Sequence, residues 1–442
     1  MNLLNVTRGG VVVRRLLLIS TLGIVVLLYL ASCSIEPEFS DESESGSTTG
    51  LGPNIVWQKT FGGSDDDVAY SVQQTVDGGY IVAGYTKSTD GDVERNHGMY
   101  DFWVLKLDNS GNVEWKKTFG GSNVDMVYSI QQTRDGGYIA AGYTSSKDGD
   151  IKENHGFDDF WIVKLNEDGD IEWEKTYGGS NTDIAYSIKQ TSDDGYIVVG
   201  ETYSYEGKKD IWALKLDENG SVEWQQLYGS SYNNNTLAPV DDIPYSVQQT
   251  SDGGYIIVGE SESEDGYADI FVMKLDKDGI DEWQKFYEGP YDDRAYSVQQ
   301  TSDGGYIVVG ETVSTEYGDT DLFVMKLDED GNKEWQKVYG GSDDDTAHYV
   351  QEVDSGYIIA GETWSEDNGI ENHGGGDFWL LKLDRDGNII WQKTYGGSLS
   401  EVAYSVQQTS DGGYIMVGYS TSNDEGIKNH GKMDFWVVKV GW

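Results

Sequence analysis

The sequence predicts an all-β fold in which seven four-stranded blades form one closed ring. Three observations lead to this prediction: one motif recurs seven times, each copy contains four strand-like runs, and the two chain ends carry complementary pieces of one copy. With 442 residues, the chain is long enough for a repeat assembly to bury a sizeable core.

The repeat is marked by a tryptophan that opens the pattern W-[QKE]-[QK]. Successive copies of this tryptophan are 51 to 59 residues apart, and they run from near the start of the repeats to near the end of the chain. The seven positions are Trp57, Trp115, Trp173, Trp224, Trp283, Trp335 and Trp391.

Each copy contains four short runs with the composition of β-strands, which we label A to D from the centre of a blade outward. In the fifth copy, strand A is AYSVQQT (295–301), and the turn SDGG leads into strand B, YIVVGET (306–312). Strand C is DLFVMKLD (321–328), and EDGN leads into strand D, KEWQKVYGGS. Asp-Gly between such runs signals a hairpin, so each copy is predicted to be one blade of a β-propeller.

The chain ends predict how the ring closes. The repeats begin with a strand D, NIVWQKT (54–60), that has no preceding strand C, and they end with a strand C, DFWVVKVGW (434–442), that has no following strand D. We therefore expect the N-terminal strand to complete the last blade, which protects sheet edges that an open array would expose. An open β-solenoid is the alternative, and four strands in roughly 55 residues per copy argue against it.

Two resemblances to known families accompany this pattern. The segment LKLDENGSVEWQQ (214–226) is similar to the tryptophan-bearing repeats of quinoprotein-like propellers. More broadly, residues 54–442 resemble a group of secreted bacterial and archaeal propeller proteins of largely unassigned function. The resemblance implies the fold and leaves the activity open.

The first 53 residues are predicted to carry an export signal and a tether. Residues 1–32 contain Arg8, Arg14 and Arg15, followed by the apolar run 16–30. LASC (30–33) resembles the lipobox of bacterial lipoproteins, and this resemblance implies that Cys33, the only cysteine, becomes the lipid-modified first residue of the mature chain. A signal anchor or an ordinary secretory signal is the alternative. Residues 33–53 are acidic and rich in Ser and Gly, as a flexible tether would be.

The location and partners are predicted from the tether and the charge. By resemblance, Ser34 after the lipidated cysteine favours the outer membrane or cell surface over inner-membrane retention. The chain has 77 acidic and 31 basic residues, a net charge of −46, which disfavours nucleic acid and favours cations or basic partners. We expect a monomer that contacts the membrane through its lipid alone and binds a protein or glycan.

Two acidic positions recur in every copy. The first precedes strand C, resembles the structural aspartate of WD-repeat blades, and is occupied by Asp101, Asp159, Asp210, Asp269, Asp321, Asp377 and Asp434. The second lies in the loop from strand D to the next strand A and is occupied by Asp67, Asp125, Asp183, Asp242, Asp293, Asp345 and Glu401. A ring of carboxylates at one mouth of the channel is a candidate Ca²⁺ site, and turn capping is the alternative.

Other candidate site residues occur in only some copies. The tripeptide NHG precedes strand C in copies one, two, six and seven, which are neighbours in a closed ring. Its histidines are His97, His155, His373 and His430, and the DGD segments add Asp90, Asp92, Asp148 and Asp150. These residue types suit a ligand or a divalent metal, whereas packing of each histidine within its own loop is the alternative. His348 stands where the other copies have tyrosine, so it either faces a ligand at the channel mouth or reflects drift.

Two function classes follow from these features. The favoured class is a non-catalytic surface lipoprotein that binds a protein, glycan or cation through its acidic loop face. The alternative is a cell-surface carbohydrate-active enzyme, a glycoside hydrolase or lyase, because paired carboxylates are abundant in the loops. A quinoprotein dehydrogenase ranks third, because the resemblance to quinoprotein-like propellers lies in residues that build the blade and not in a recognisable cofactor pocket. The sequence contains no nucleophile-elbow, zincin, P-loop or haem-attachment motif in a suitable context.

Overall fold

A computed structural model describes residues 52–203, 208–229, 240–263, 266–313 and 320–442. Within these ranges the chain is all-β, with 28 strands, which confirms the predicted fold class. No helix in the described residues is long and apolar enough to span a lipid bilayer. The predicted signal peptide, Cys33 and most of the tether lie outside the described residues.

The 28 strands occupy four positions in seven blades. Strand A is β2 (Asp67–Gln74), β6 (Asp125–Gln132), β10 (Asp183–Gln190), β14 (Asp242–Gln249), β18 (Asp293–Gln300), β22 (Asp345–Val353) and β26 (Glu401–Gln408). Strand B is β3 (Tyr80–Thr86), β7 (Tyr138–Thr144), β11 (Tyr196–Tyr203), β15 (Tyr255–Glu262), β19 (Tyr306–Val313), β23 (Gly356–Thr363) and β27 (Tyr414–Ser420). Strand C is β4 (Asp101–Leu107), β8 (Asp159–Leu165), β12 (Lys209–Leu216), β16 (Ala268–Leu275), β20 (Thr320–Leu327), β24 (Asp377–Leu383) and β28 (Asp434–Gly441). Strand D is β5 (Val113–Phe119), β9 (Ile171–Tyr177), β13 (Val222–Tyr228), β17 (Asp281–Tyr287), β21 (Lys333–Tyr339), β25 (Ile389–Tyr395) and β1 (Asn54–Phe61).

The blades are seven antiparallel sheets of four strands each. Six sheets use consecutive strands, and the seventh has the order β1-β28-β27-β26. In that sheet β1 pairs with β28 from Asn54 opposite Gly441 to Phe61 opposite Phe435. The N-terminal strand therefore completes the last blade, as the chain ends predicted.

The strand A of every blade has a bulge that turns one side chain toward the channel. In blade 1 the register with β3 shifts between Ala69 and Ser71, so Tyr70 has no partner opposite it, and the other six blades shift at the same place. Opposite this bulge lies Gly84, where a Cβ atom would be 1.8 Å from the carbonyl oxygen of Val68. Glycine is therefore required at this position because the two backbones approach so closely.

The apolar core lies between the blades. Seven buried clusters are present, and each combines residues of two neighbouring blades. In one of them Phe102 of blade 1 packs on Trp161 of blade 2 with ring centroids 4.4 Å apart. Because each blade buries its faces against both neighbours, the ring is stable only when it is closed.

The hairpins between strands A and B and between C and D lie on the face opposite the B–C and D–A loops. We call these the hairpin face and the loop face. On the hairpin face of blade 1, Asp77 accepts a hydrogen bond from Thr75 and pairs with Lys106, and Lys106 also pairs with Glu114. Burial opposes the charge of Asp77, but the bonds from Thr75, Lys106 and Gly79 lower its pKa to about 2.

Candidate functional site

The NHG tripeptides fasten the aspartate that begins strand C. In blade 1, Asp101 is fully buried, and its Oδ2 accepts a bond from the backbone N of His97 at 2.7 Å and lies 2.6 Å from Nδ1 of the same histidine. Asn96 donates to the carbonyl of Thr86 and accepts from the backbone N of Gly98. The motif is thus a closed loop held by its own side chains.

The same geometry recurs in the other three copies. The histidine Nδ1 to aspartate Oδ2 distances are 2.7 Å for His155 and Asp159, 2.5 Å for His373 and Asp377, and 2.6 Å for His430 and Asp434. The four histidines lie on four adjacent blades, and the structure does not bring them together. This arrangement favours the alternative that each histidine packs within its own loop, and ligand binding by them stays a prediction.

The aspartates of the DGD segments hold the B–C loop against the D–A loop. Asp90 Oδ1 accepts from the backbone N of Ser64 at 2.7 Å, and Asp148 Oδ1 accepts from Ser122 in the same way. Asp150 Oδ2 accepts from the backbone N of Gly120 at 3.0 Å, and Asp92 lies in the equivalent position near Gly62. These four carboxylates therefore set the shape of the loop face.

The ring of seven acidic residues in the D–A loops is buried. In blade 1, Asp67 accepts from Thr86, from Ser88 at 2.8 Å and from the backbone N of Gly63 at 2.8 Å, and its side chain is fully buried. Burial raises its pKa to about 6, although these three bonds oppose the shift.

The other six residues of this ring are also buried: Asp125, Asp183, Asp242, Asp293, Asp345 and Glu401. Among the described residues, no three His, Cys, Asp or Glu side chains lie close enough together to hold a metal ion. The contacts of Asp67 are those of a turn cap, and Ca²⁺ binding by the ring stays a prediction.

Seven aromatic side chains surround the channel, one from the bulge of each strand A. We call them the tyrosine collar: Tyr70, Tyr128, Tyr186, Tyr245, Tyr296, His348 and Tyr404. Neighbouring ring centroids are 4.8 to 5.5 Å apart all the way round, including the contacts of His348 with Tyr296 and with Tyr404. His348 is therefore a member of the collar, and ligand binding by it stays a prediction.

A set of carboxylates beside this collar was not anticipated from the sequence. Glu201, Glu260, Glu311 and Glu362 directly follow the glycine of strand B in blades 3 to 6, and we call them the carboxylate arc. Tyr186, Tyr245 and Tyr296 donate hydrogen bonds to the first three, and His348 Nε2 lies 2.7 Å from Glu362. Burial opposes the positive charge of His348, but Glu362 raises its pKa above the ordinary value.

Two basic residues pair with the carboxylate arc. Arg294 bridges two blades, with its Nε 2.5 Å from Glu260 and a terminal nitrogen 3.0 Å from Glu311, and Lys209 lies 3.1 Å from Glu201. Blades 1, 2 and 7 have Tyr85, Tyr143 and Tyr419 at the position of the arc. The channel mouth is therefore charged on one side and aromatic on the other. The sequence shows this difference within strand B. Blades 1, 2 and 7 contain GYT or GYS, whereas blades 3 to 6 contain GET or GES.

The loop face also presents exposed apolar side chains on blades 1 to 3. Met99 is 53% exposed, Phe157 is 72% exposed and Tyr203 is 36% exposed, and we call these three residues the apolar arc. A cleft of about 580 Å³ opens on blade 3 and is lined in part by Thr202, Trp212 and Leu227. Trp212 is only partly buried, whereas the equivalent tryptophans of the other blades are fully buried.

Comparisons with known proteins identify the fold. No family model matches the chain. Over 98 residues, 22% of the chain, it is 30% identical to Expansin-B1 of Oryza sativa subsp. japonica, and it spans 36% of the length of that curated relative.

Among solved structures, Sqt1 from Chaetomium thermophilum is similar with a TM-score of 0.50 and 10% identity, covering 88% of this chain and 98% of that one. The Pan2 WD40 domain of Neurospora crassa has a TM-score of 0.47 and 11% identity, covering 85% and 89%. A DUF4221 family member from Bacteroides vulgatus ATCC 8482 has a TM-score of 0.38 and 9% identity, covering 89% and 98%. At 10% identity the likeness to Sqt1 shows the fold alone.

Proposed function

We propose that this protein is a binding module of the cell envelope whose loop face binds a basic segment of a partner protein. The observation that carries the proposal is the apolar arc of Met99, Phe157 and Tyr203 on blades 1 to 3, together with the cleft at Trp212 on blade 3. A partly open pocket next to exposed aromatic side chains is the usual setting of the residues that contribute most to protein association.

The charge of the chain indicates the chemistry of the partner. With a net charge of −46, the protein attracts basic segments and repels acidic ones, and complementary charge speeds association and selects the partner. A neutral glycan would make no use of this charge. A protein segment with lysine or arginine around one aromatic or aliphatic side chain matches this chemistry. Its basic residues suit the negative electrostatic field, and its apolar side chain suits the cleft at Trp212.

The residues first considered for chemistry support binding over catalysis. His97 and its three counterparts hold Asp101, Asp159, Asp377 and Asp434 through Nδ1, and Asp90 and Asp148 bind backbone N–H groups of the D–A loops. These bonds organise the loop face as a rigid platform, which lowers the entropy cost of binding a partner. We further propose that lipid on Cys33 holds the module at the outer membrane or cell surface, and the LASC segment supports this placement.

A peptide and glycan array tests the proposed function. We expect the full chain to bind basic peptides that contain an aromatic residue and to ignore acidic peptides of the same apolar content, with binding that weakens as salt increases. A panel of polysaccharides incubated with the same preparation should yield no new reducing ends. Release of reducing ends, or binding confined to glycans, would support the carbohydrate-active alternative and overturn the proposal.

A further inference from the structure

The Gln-Gln pair that ends strand A uses its two side chains differently. In blade 2, the second glutamine, Gln132, accepts from the backbone N of Val76 and donates from Nε2 to the carbonyl of Gly136. The first glutamine of blade 1, Gln73, accepts from the backbone N of Gln132 at 2.6 Å. Within the described residues, Nε2 of Gln73 has no protein acceptor. One amide is fully used by the fold, and the other keeps two free N–H donors.

This pattern extends around the channel. The six first glutamines accept from the innermost strand of the next blade and are half-buried: Gln73, Gln131, Gln248, Gln299, Gln351 and Gln407. Because a backbone N–H must face oxygen, each bond fixes which end of the amide is the NH₂ group. In the described part of the chain none of these six NH₂ groups donates to protein.

Blade 3 departs from the pattern at Lys189. Its sequence reads SIKQT where most other blades read SVQQT or SIQQT, so an ammonium group replaces an amide at this level of the channel. Among the described residues, no hydrogen bond or ion pair involves the side chain of Lys189. Burial lowers the pKa of Lys189, and no carboxylate contributes to the shift.

The strand C lysines of six blades pair with carboxylates, whereas Lys382 of blade 6 has no such partner among the described residues. Lys164 on strand C of the preceding blade is more deeply buried than Lys189, but it pairs with Asp135 at 2.9 Å and with Glu172 at 3.0 Å. In a chain with 77 acidic residues, a half-buried lysine without a carboxylate is unusual. A buried donor without an acceptor destabilises the fold, and a charged donor does so more strongly.

Lys189 and the free NH₂ groups of the six first glutamines lie at one level of the channel. We call Lys189 and the six first glutamines the amide collar; it lies between the tyrosine collar and the hairpin turns, because strand A passes from Tyr70 through Gln73 to the turn at Thr75. Gln131 of blade 2 and Gln248 of blade 4 flank Lys189 in ring order. The amide collar presents N–H groups and one positive charge to a ligand in the channel at this depth.

We propose that the amide collar binds a small oxyanion, a carboxylate or a phosphate, through Lys189 and the flanking NH₂ groups of Gln131 and Gln248. An oxyanion accepts several N–H bonds at once and supplies the negative charge that Lys189 lacks. The negative charge of the rest of the chain opposes its approach, and salt screens this repulsion beyond about 8 Å at physiological ionic strength. The site is independent of the proposed partner surface on the loop face.

The test compares two variants of the full chain, purified in mild detergent, with the wild type. Lys189→Gln restores the residue that six blades already have, so it keeps the fold, and Lys147→Gln removes the same charge from an exposed loop. Isothermal titration with inorganic phosphate and, separately, with acetate is performed at constant ionic strength balanced by sodium chloride. The anion that gives saturable binding identifies the class of ligand.

We expect saturable binding of at least one of the two anions by the wild type and by Lys147→Gln. The affinity of Lys189→Gln should be weaker by about tenfold or more, because a charge-assisted bond is lost. Equal affinity in Lys189→Gln and the wild type would overturn the proposal. Absence of saturable binding of both anions to the wild type would overturn it as well.

Discussion

Removing β1 (Asn54–Phe61) is expected to destabilise the whole propeller strongly, although the strand is one of 28. The strand completes the last blade by pairing with β28, and it is the outermost strand of that sheet. Trp57 packs edge-on against Tyr80 of blade 1 with ring centroids 5.8 Å apart, and Phe61 belongs to the cluster between blades 7 and 1. Each buried aromatic residue contributes about 3 to 5 kcal/mol, and the loss of β1 also exposes the edge of β28.

The measurement is thermal unfolding of residues 52–442 against residues 62–442. The longer chain keeps Gly52 and Pro53, and Pro53 accepts a hydrogen bond from Tyr395 at 2.7 Å. We expect the shorter chain to melt lower by about 10 °C or more, or to aggregate.

A permuted chain provides the control for this deletion. It begins at residue 62 and carries residues 54–61 after the C-terminus, joined by the C–D turn sequence of residues 384–388. If β1 acts by closing the ring, this chain should recover the melting temperature of residues 52–442. A melting temperature of the deletion that equals the wild-type value would show that the ring does not depend on β1.

The second large expected effect is a stability maximum in weakly acidic solution. Burial raises the pKa of Asp67, Asp101, Asp345 and Asp377 to about 6, well above the unfolded value of 3.8. Between these two values the folded chain binds more protons than the unfolded chain, so stability rises as the pH falls through 6 and levels off near 4. A pKa change of this size corresponds to about 3 kcal/mol for one group.

The hairpin aspartates set the acidic limit of this window. The pKa of Asp77, Asp252 and Asp411 is lowered to about 2; burial opposes this shift, and hydrogen bonds from threonine, backbone glycine and lysine outweigh it. Their contribution is present above 3.8 and is lost as the pH falls through 2. We therefore expect the melting temperature, measured from pH 2 to 8 at constant ionic strength, to be highest near pH 4.

Two isosteric variants separate the two groups of aspartates. In Asp67→Asn the amide oxygen can accept from Gly63 and Ser88 while Nδ2 donates to the hydroxyl of Thr86, so the variant mimics the protonated acid. It should be more stable than the wild type at pH 8 and equal to it near pH 4. Asp77→Asn should be less stable at pH 7 and equal at pH 2. Loss of stability at pH 8 in Asp67→Asn would contradict this assignment.

The architecture was predictable because the same unit is written seven times. A single copy with four short runs is ambiguous, but seven copies place every turn and strand independently, and the partial copies at Trp57 and Trp436 show how the ends meet. The blade order follows from chain order in a ring, so the neighbours of each blade were also predictable.

The channel could not be predicted in the same way, because its contacts join side chains of different blades. Arg294 meets Glu260 of the preceding blade, and this pairing depends on how two strands face each other across the channel. The role of the NHG histidines was more accessible, because each is four residues before the strand C aspartate in all four copies. That constant spacing indicates a local bond, which the structure shows as Nδ1 to Oδ2.

We propose that the residues common to all seven blades build the ring and that the loop-face residues found in only some blades bind a partner. The most direct test is the affinity for the strongest basic peptide from the array in two matched triple variants. One carries Met99→Ser, Phe157→Ser and Tyr203→Ser on the loop face, and the other carries Val76→Ser, Val222→Ser and Ile280→Ser at exposed positions of the hairpin face.

All six side chains are at least one-third exposed, so neither variant should lose its fold. We expect the loop-face variant to lose about tenfold or more in affinity, because exposed apolar anchors contribute most of the binding energy. The hairpin-face variant should keep the wild-type affinity. Equal affinity in all three proteins, or a loss confined to the hairpin-face variant, would contradict this proposal.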